Sequence, residues 1–158
     1  LVLIQAIRKE LDLPIIAAGG IVDGTGMAAV FAAGAEGIQM GTRFVSSEES
    51  PVHDNFKNKI LDSTIQGTWI LNKNSKPVIR ALRTDFTKKI HEAGMMEMND
   101  MSNIQDLYFG GDMNAAPALS GQSVGLIDEV KSVKDIINQT VSEFNEACTN
   151  LSKYKLEV

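Results

Sequence analysis

Between Pro14 and Phe44 the apolar positions fall into short blocks divided by glycines. Ile15-Ile16-Ala17-Ala18 runs without polar alternation, as a parallel strand buried on both faces requires, and Gly19-Gly20 ends it. A helix is expected from about Thr25, with Met27, Val30, Phe31 and Ala35 on one side and Gly34 as its C-terminal stop. Gly37-Ile38-Gln39-Met40 then reads as a second short strand, closed by Gly41-Thr42. The whole is a β-α-β crossover with glycine at the end of both strands.

Elsewhere the pattern is mostly helical. Leu3, Ile4, Ile7 and Leu11 share a helical face ahead of the first strand. Ser50-Pro51 has the chemistry of a helix start, and Val52, Phe56 and Ile60 continue it. Thr64–Leu71 (TIQGTWIL) alternates weakly and reads as extended. A turn at Asn72–Ser75 leads into a predicted helix from about Pro77 to Ala93, carried by Val78, Leu82, Phe86 and Ile90 and stopped at Gly94. Residues 95–110 hold four of the seven methionines and read as an irregular surface crossing, with a substrate lid as the alternative. Ser132-Val133-Lys134-Asp135 resembles a capping box. It opens a last helix with Val133, Ile137, Val141, Phe144, Cys148 and Leu151 as the apolar stripe, and the tail Ser152–Val158 is expected to fray.

Glycine at the end of a parallel strand lets the backbone approach a ligand, and its N–H groups then point at an anion beside a helix N-terminus. Two such turns on consecutive strands, Gly19-Gly20 and Gly41-Thr42, therefore suggest a phosphate site. Residues alone carry the argument to a phosphate-binding crossover and no further.

The wording of those residues, AAGGI at 17–21, DG-x-G at 23–26, AGAEG at 33–37 and QMGTRF at 39–44, resembles the nitronate monooxygenase family, which includes flavin-dependent enoyl-acyl-carrier-protein reductases. SGQSVGLI at 120–127 is similar to a further segment of that family. The resemblance implies an α/β fold, the C-terminal part of a TIM (β/α)8 barrel (its last two strands) with an inserted, mainly helical segment. On that division residues 1–47 carry the barrel strands and phosphate turns. Residues 48–127 form the insertion and the loop returning to the barrel mouth, and 128–158 the final helix and tail. A whole barrel needs about 250 residues, and the chain has 158 and starts at Leu1, so it reads as a fragment. The implied cofactor is FMN. Gly19, Gly20, Gln39, Met40, Gly41 and Thr42 match its contacts, and Ser120, Gly121 and Gln122 lie on the substrate or flavin side. The implied chemistry is oxidation of nitronates with O2 or, alternatively, NAD(P)H-dependent reduction of an enoyl thioester on an acyl carrier protein. A non-catalytic phosphate-binding fragment is the reading from another class. The family's catalytic His has no matching motif here and is expected upstream, leaving the catalytic residue of this chain unknown. EESP at 48–51 also resembles IMP dehydrogenase-like barrels, but Cys148, in the last helix, does not suit the loop nucleophile those proteins need.

Composition narrows the partners. A net charge of −5 argues against nucleic acid, since binding its phosphates in bulk needs a basic face. A lone cysteine excludes an internal disulfide and fits a reducing, cytoplasmic setting. No apolar run reaches the ~18 residues of a membrane span, so the expected ligand is a small molecule, with self-association left open. Among the remaining candidates, Asp23 reads as a helix cap and His53 as solvated or capping. His91 reads as a surface residue, and Arg43 as the partner of a phosphate or of Glu48 or Glu49. Lys76, Arg80 and Arg83 are expected on one basic helix face. Gln39 is expected buried, needing a partner: a ribityl hydroxyl or a neighbouring backbone group. No His or Cys spacing suggests zinc.

Overall fold

The computed structural model describes residues 1–154, and the part of the expected fraying tail beyond Tyr154 lies outside the described residues. Two compact units are present: Leu1–Met40 together with the residues from Ser132 onward, and Gly41–Lys131.

The first unit contains the predicted crossover. Helix α1 (Val2–Glu10) precedes strand β1 (Ile16–Ala18), helix α2 (Gly24–Ala32) and strand β2 (Gly37–Gln39). The strands pair in parallel, with Ile16 opposite Gly37 and Ala18 opposite Gln39. Asp23 opens α2 as foreseen, its carboxylate accepting from Gly26 N at 2.7 Å. Gly34 (φ +108°) turns the chain out of the helix, a conformation that L side chains rarely adopt. Ala17, Ile21, Val30 and Ala35 form the core, with Ile4, Ile38 and Met40 packed against it. The strands are covered on one face only. Ala17 is buried, whereas Ile16 is 60% exposed and Ala18 and Gln39 are exposed too. The expectation of burial on both faces, and of a buried Gln39, is corrected: in a barrel such a face is filled by side chains of the other strands.

The 20-residue helix α7 (Val133–Ser152) closes this unit. Ser132 Oγ accepts from Asp135 N at 3.0 Å, as the capping pattern implied. The buried stripe, however, is Ile136 and Thr140, while Ile137, Val141, Cys148 and Leu151 are exposed. Of the expected stripe Phe144 does face inward, whereas Ile136 and Thr140 take the buried places assigned to Ile137 and Val141. What selects the true stripe is Gly24: a Cβ there would lie 2.2 Å from Phe144 N and 2.3 Å from Thr140 O, so α2 presses its glycine directly onto the α7 backbone. Phe31 and Phe144 meet edge to face beside that contact.

The second unit departs more from the pattern. A four-residue helix, α3 (Thr42–Val45), follows Gly41 directly. Helix α4 spans Asp54–Leu61 and is capped by His53, so Ser50-Pro51 does not start it. Strand β3 (Thr68–Leu71) pairs antiparallel with strand β4 (Ile79–Leu82), Trp69 opposite Ala81. Helix α5 therefore begins at Asp85, not Pro77, and runs to Ala93. Val78, Leu82, Phe86 and Ile90 do repeat every four residues, but Thr84 and Thr87 form a reciprocal capping box that places the start. Leu71, Ala81 and Ile90 pack between hairpin and helix. The 95–110 crossing holds a short helix, α6 (Ile104–Tyr108), anchored by buried Leu107, while Met98 is fully solvated. A 3-10 turn (Gln122–Leu126) completes the unit.

Candidate functional site

In the first unit the two strands end side by side, and Gly19-Gly20 leaves the end of β1. Both glycines have positive φ (+93° and +75°), and a Cβ on either would meet nothing within 4 Å. Space does not demand glycine here; conformation does, because an L residue in the left-handed region costs about 1–2 kcal/mol. Neither amide has an acceptor within the chain among the described residues. The neighbouring helix end is different. Gly26 N donates to Asp23 and Gly24 N to Glu143 Oε2 at 2.9 Å, so two carboxylates already occupy the amides at the start of α2. The start of α2 thus has its Gly24 and Gly26 amides donating to side chains of this unit, while the glycine turn ahead of it does not. Met40 is half-buried against the core, and Gln39 points to solvent with its strand face.

The second unit brings together residues that lie far apart in sequence. Gly121 N donates to Thr42 Oγ1 at 2.9 Å, tying the Gly41-Thr42 segment to Ser120-Gly121-Gln122 across 79 positions. Gly41 caps α3 with φ −90°, and a Cβ there would meet nothing within 4 Å. Ser120 is 93% buried by its 7% exposure, yet its hydroxyl has no hydrogen-bond partner. A buried hydroxyl without a partner costs about 1–3 kcal/mol, a cost the described residues do not offset. Gln122 is exposed at the start of the 3-10 turn.

Several candidates are accounted for otherwise. Arg43 is buried where a surface position was expected, and Nη1 donates to Ser46 Oγ (3.0 Å) and Glu129 O (2.9 Å), which braces the α3 turn. His53 Nδ1 accepts from Asn55 N at 3.1 Å, the capping role foreseen. His91 is more than a surface residue: it stacks on Trp69 at 4.1 Å, and its Nδ1 lies 2.8 Å from Ile70 O. Arg80 sits on β4 and donates to Thr68 Oγ1, and Arg83 follows that strand, so they do not share a helix face with Lys76. Burial raises the Tyr108 phenol above its ordinary value of 10.0; its ring stacks on Phe56. Among the described residues no group of three or more His, Cys, Asp or Glu suits a metal, and no helix is long and apolar enough to cross a membrane.

Comparisons with known proteins bear on the family and the fold. A family model described as nitronate monooxygenase matches residues 1–143. A probable nitronate monooxygenase of Staphylococcus saprophyticus is 30% identical, the match covering 91% of this chain and 42% of that protein. The structure of FabK from Thermotoga maritima superposes with a TM-score of 0.90 at 41% identity, covering 98% of this chain and 51% of that one. A nitroalkane oxidase of Streptomyces ansochromogenes gives 0.80 at 26% identity, over 95% and 44%. The chain thus spans about half the length of the relatives it matches, and its α/β fold is that of part of a TIM barrel.

Proposed function

The chain belongs to the nitronate monooxygenase family, and from that premise we propose that it forms the C-terminal part of an FMN-dependent oxidoreductase. The flavin, when bound, supplies the two-electron chemistry; the residues described above hold and orient it. In the first unit the Gly19 and Gly20 amides contact the phosphate, with Gln39 and Met40 on the cofactor side. In the second, the Gly41 amide and Thr42 hold the cofactor, and Ser120-Gly121-Gln122 face the flavin or substrate. The observation that carries this reading is the buried, unpartnered Ser120 hydroxyl beside the Thr42–Gly121 hydrogen bond. Its fit to a flavin nucleotide is chemical: open amides suit an anion, and a lone hydroxyl suits one acceptor or donor on a ring or ribityl chain. The Thr42–Gly121 bond fixes both segments before the ligand arrives, which lowers the ordering cost of binding.

Two reactions fit such a site. Oxidation of a nitronate with O2 follows from the family as described. Reduction of an enoyl thioester with NAD(P)H, the reaction implied by the sequence resemblance to acyl-carrier-protein reductases, is favoured by the higher identity to FabK. The purified full-length protein separates them. Oxygen uptake with a nitronate and no NAD(P)H consumption supports the first; NADPH or NADH oxidation dependent on a 2-enoyl thioester supports the second. A protein that takes up no FMN refutes both.

A further inference from the structure

A second concavity lies in the Gly41–Lys131 unit and shares no residue with the proposed flavin contacts. It is an open cavity of about 370 Å3 between α4, the hairpin and the start of α5, with Lys59, Trp69, Arg83, Thr84, Asp85 and Lys88 among its walls. That volume is at the lower end of ordinary ligand pockets. Three cations face one carboxylate, in a chain whose overall charge is −5.

These cations are not neutralised. Lys59 and Arg83 make no ion pair with any described residue, and Lys88 reaches Glu92 only at 3.9 Å between two exposed side chains. Arg83 is nonetheless held in place: its guanidinium lies 3.8 Å over the Trp69 ring, and Nε donates to Thr68 O at 3.4 Å. Trp69 is fixed in turn by the stacked His91. The remaining donors of a guanidinium oriented in this way suit a phosphate, which takes them as a planar fork, while the lysines add point charge. The α5 terminus itself contributes nothing, because Thr87 N donates to Thr84 Oγ1 and Phe86 N to Asn114 Oδ1. Side chains, not a helix end, would hold the anion.

We propose that the groove formed by Lys59, Arg83 and Lys88 beside Trp69 binds the phosphate of a phosphorylated carrier, either the phosphopantetheine arm of a thioester or the phosphates of a nicotinamide dinucleotide. The charge balance matches a dianion, and the open mouth leaves room for the rest of a larger molecule. The identity of the carrier rests on the oxidoreductase reading; the anion site does not.

The test is calorimetric titration of full-length protein with inorganic pyrophosphate, followed by competition with 4′-phosphopantetheine and with NADPH in separate arms. Saturable pyrophosphate binding is expected, weakened about ten- to hundredfold by Arg83→Gln and by Lys59→Gln, the loss of one charge-assisted contact each. Because Lys59 carries no ion pair, Lys59→Gln keeps the test valid should Arg83→Gln disturb the hairpin. Competition by one carrier identifies the source. No saturable binding, unchanged affinity in both variants, or competition by neither carrier overturns the proposal. Flavin absorbance of the same samples reports on the other site: a groove that binds pyrophosphate in a protein without flavin leaves the anion site standing while the oxidoreductase reading, and the carrier identity that rests on it, fails.

Discussion

Gly41→Ala separates ligand contact from folding. Gly41 has φ −90° and ψ −71°, a backbone conformation open to alanine, and the new Cβ would meet no atom within 4 Å. Alanine restricts the unfolded chain, which stabilises by about 0.4–1 kcal/mol; it is also a poorer helix cap than glycine, which offsets some of that gain. Net stability should stay within about 0.5 kcal/mol of the parent, about 2 °C or less in thermal midpoint for a protein of this size or larger. A methyl group at that position stands in the path of any anion approaching the amide. Losing one hydrogen bond to a charged group costs about 1.5–3 kcal/mol, roughly a ten- to 150-fold rise in Kd. Quenching of FMN fluorescence on binding to full-length apoprotein measures that Kd, and a thermal melt of the same sample measures stability. Unchanged affinity with an unchanged melting point would refute the proposed role of Gly41. Gly20→Ala is a less clean experiment, because φ +75° adds about 1–2 kcal/mol of backbone strain to any binding effect.

Gly24→Ala should destabilise the fold by about 1–3 kcal/mol, since its methyl group would overlap the α7 backbone at 2.2–2.3 Å; urea unfolding with an unshifted midpoint would contradict that packing. Ser120→Ala should leave flavin-free protein at least as stable as the parent, because it removes a buried hydroxyl that has no partner, yet weaken flavin or substrate binding; loss of stability without loss of binding would assign the hydroxyl a structural role. The buried Tyr108 phenol holds its proton to higher pH in the folded protein than in the unfolded chain. Its stabilising contribution is therefore fully present below about pH 10 and is lost as pH rises through the raised folded value. Tyr108→Phe should flatten the alkaline fall in unfolding free energy, and an identical fall in both proteins would exclude this residue as its source.

The crossover was legible because each of its signals is local. Apolar runs, an Asp cap three residues ahead of the amide it binds, and glycines at positive φ all act within a few positions. The hairpin was hidden because Leu82 and Phe86 keep a helical interval, and the pairing of Trp69 with Ala81 that overrides it is not a local property. The stripe on α7 was partly misplaced for a related reason. Ile136 and Ile137 are adjacent and equally apolar, and only the close approach of Gly24 decides which faces inward. At the candidate site the glycines were readable one by one, but the Thr42–Gly121 bond, the occupied amides of α2 and the unsatisfied Ser120 belong to tertiary structure. Arg43 shows the same limit: its hydrogen bond to the carbonyl of Glu129, 86 positions away, is not a local property.

Phosphate anchoring through main-chain amides is the central claim, and comparing FMN with riboflavin tests it most directly. The two ligands differ only in the phosphate. Full-length apoprotein should bind FMN at least about a hundredfold more tightly than riboflavin, the worth of one to two hydrogen bonds to a charged group. Equal affinity for both flavins, or binding of neither, would contradict the account.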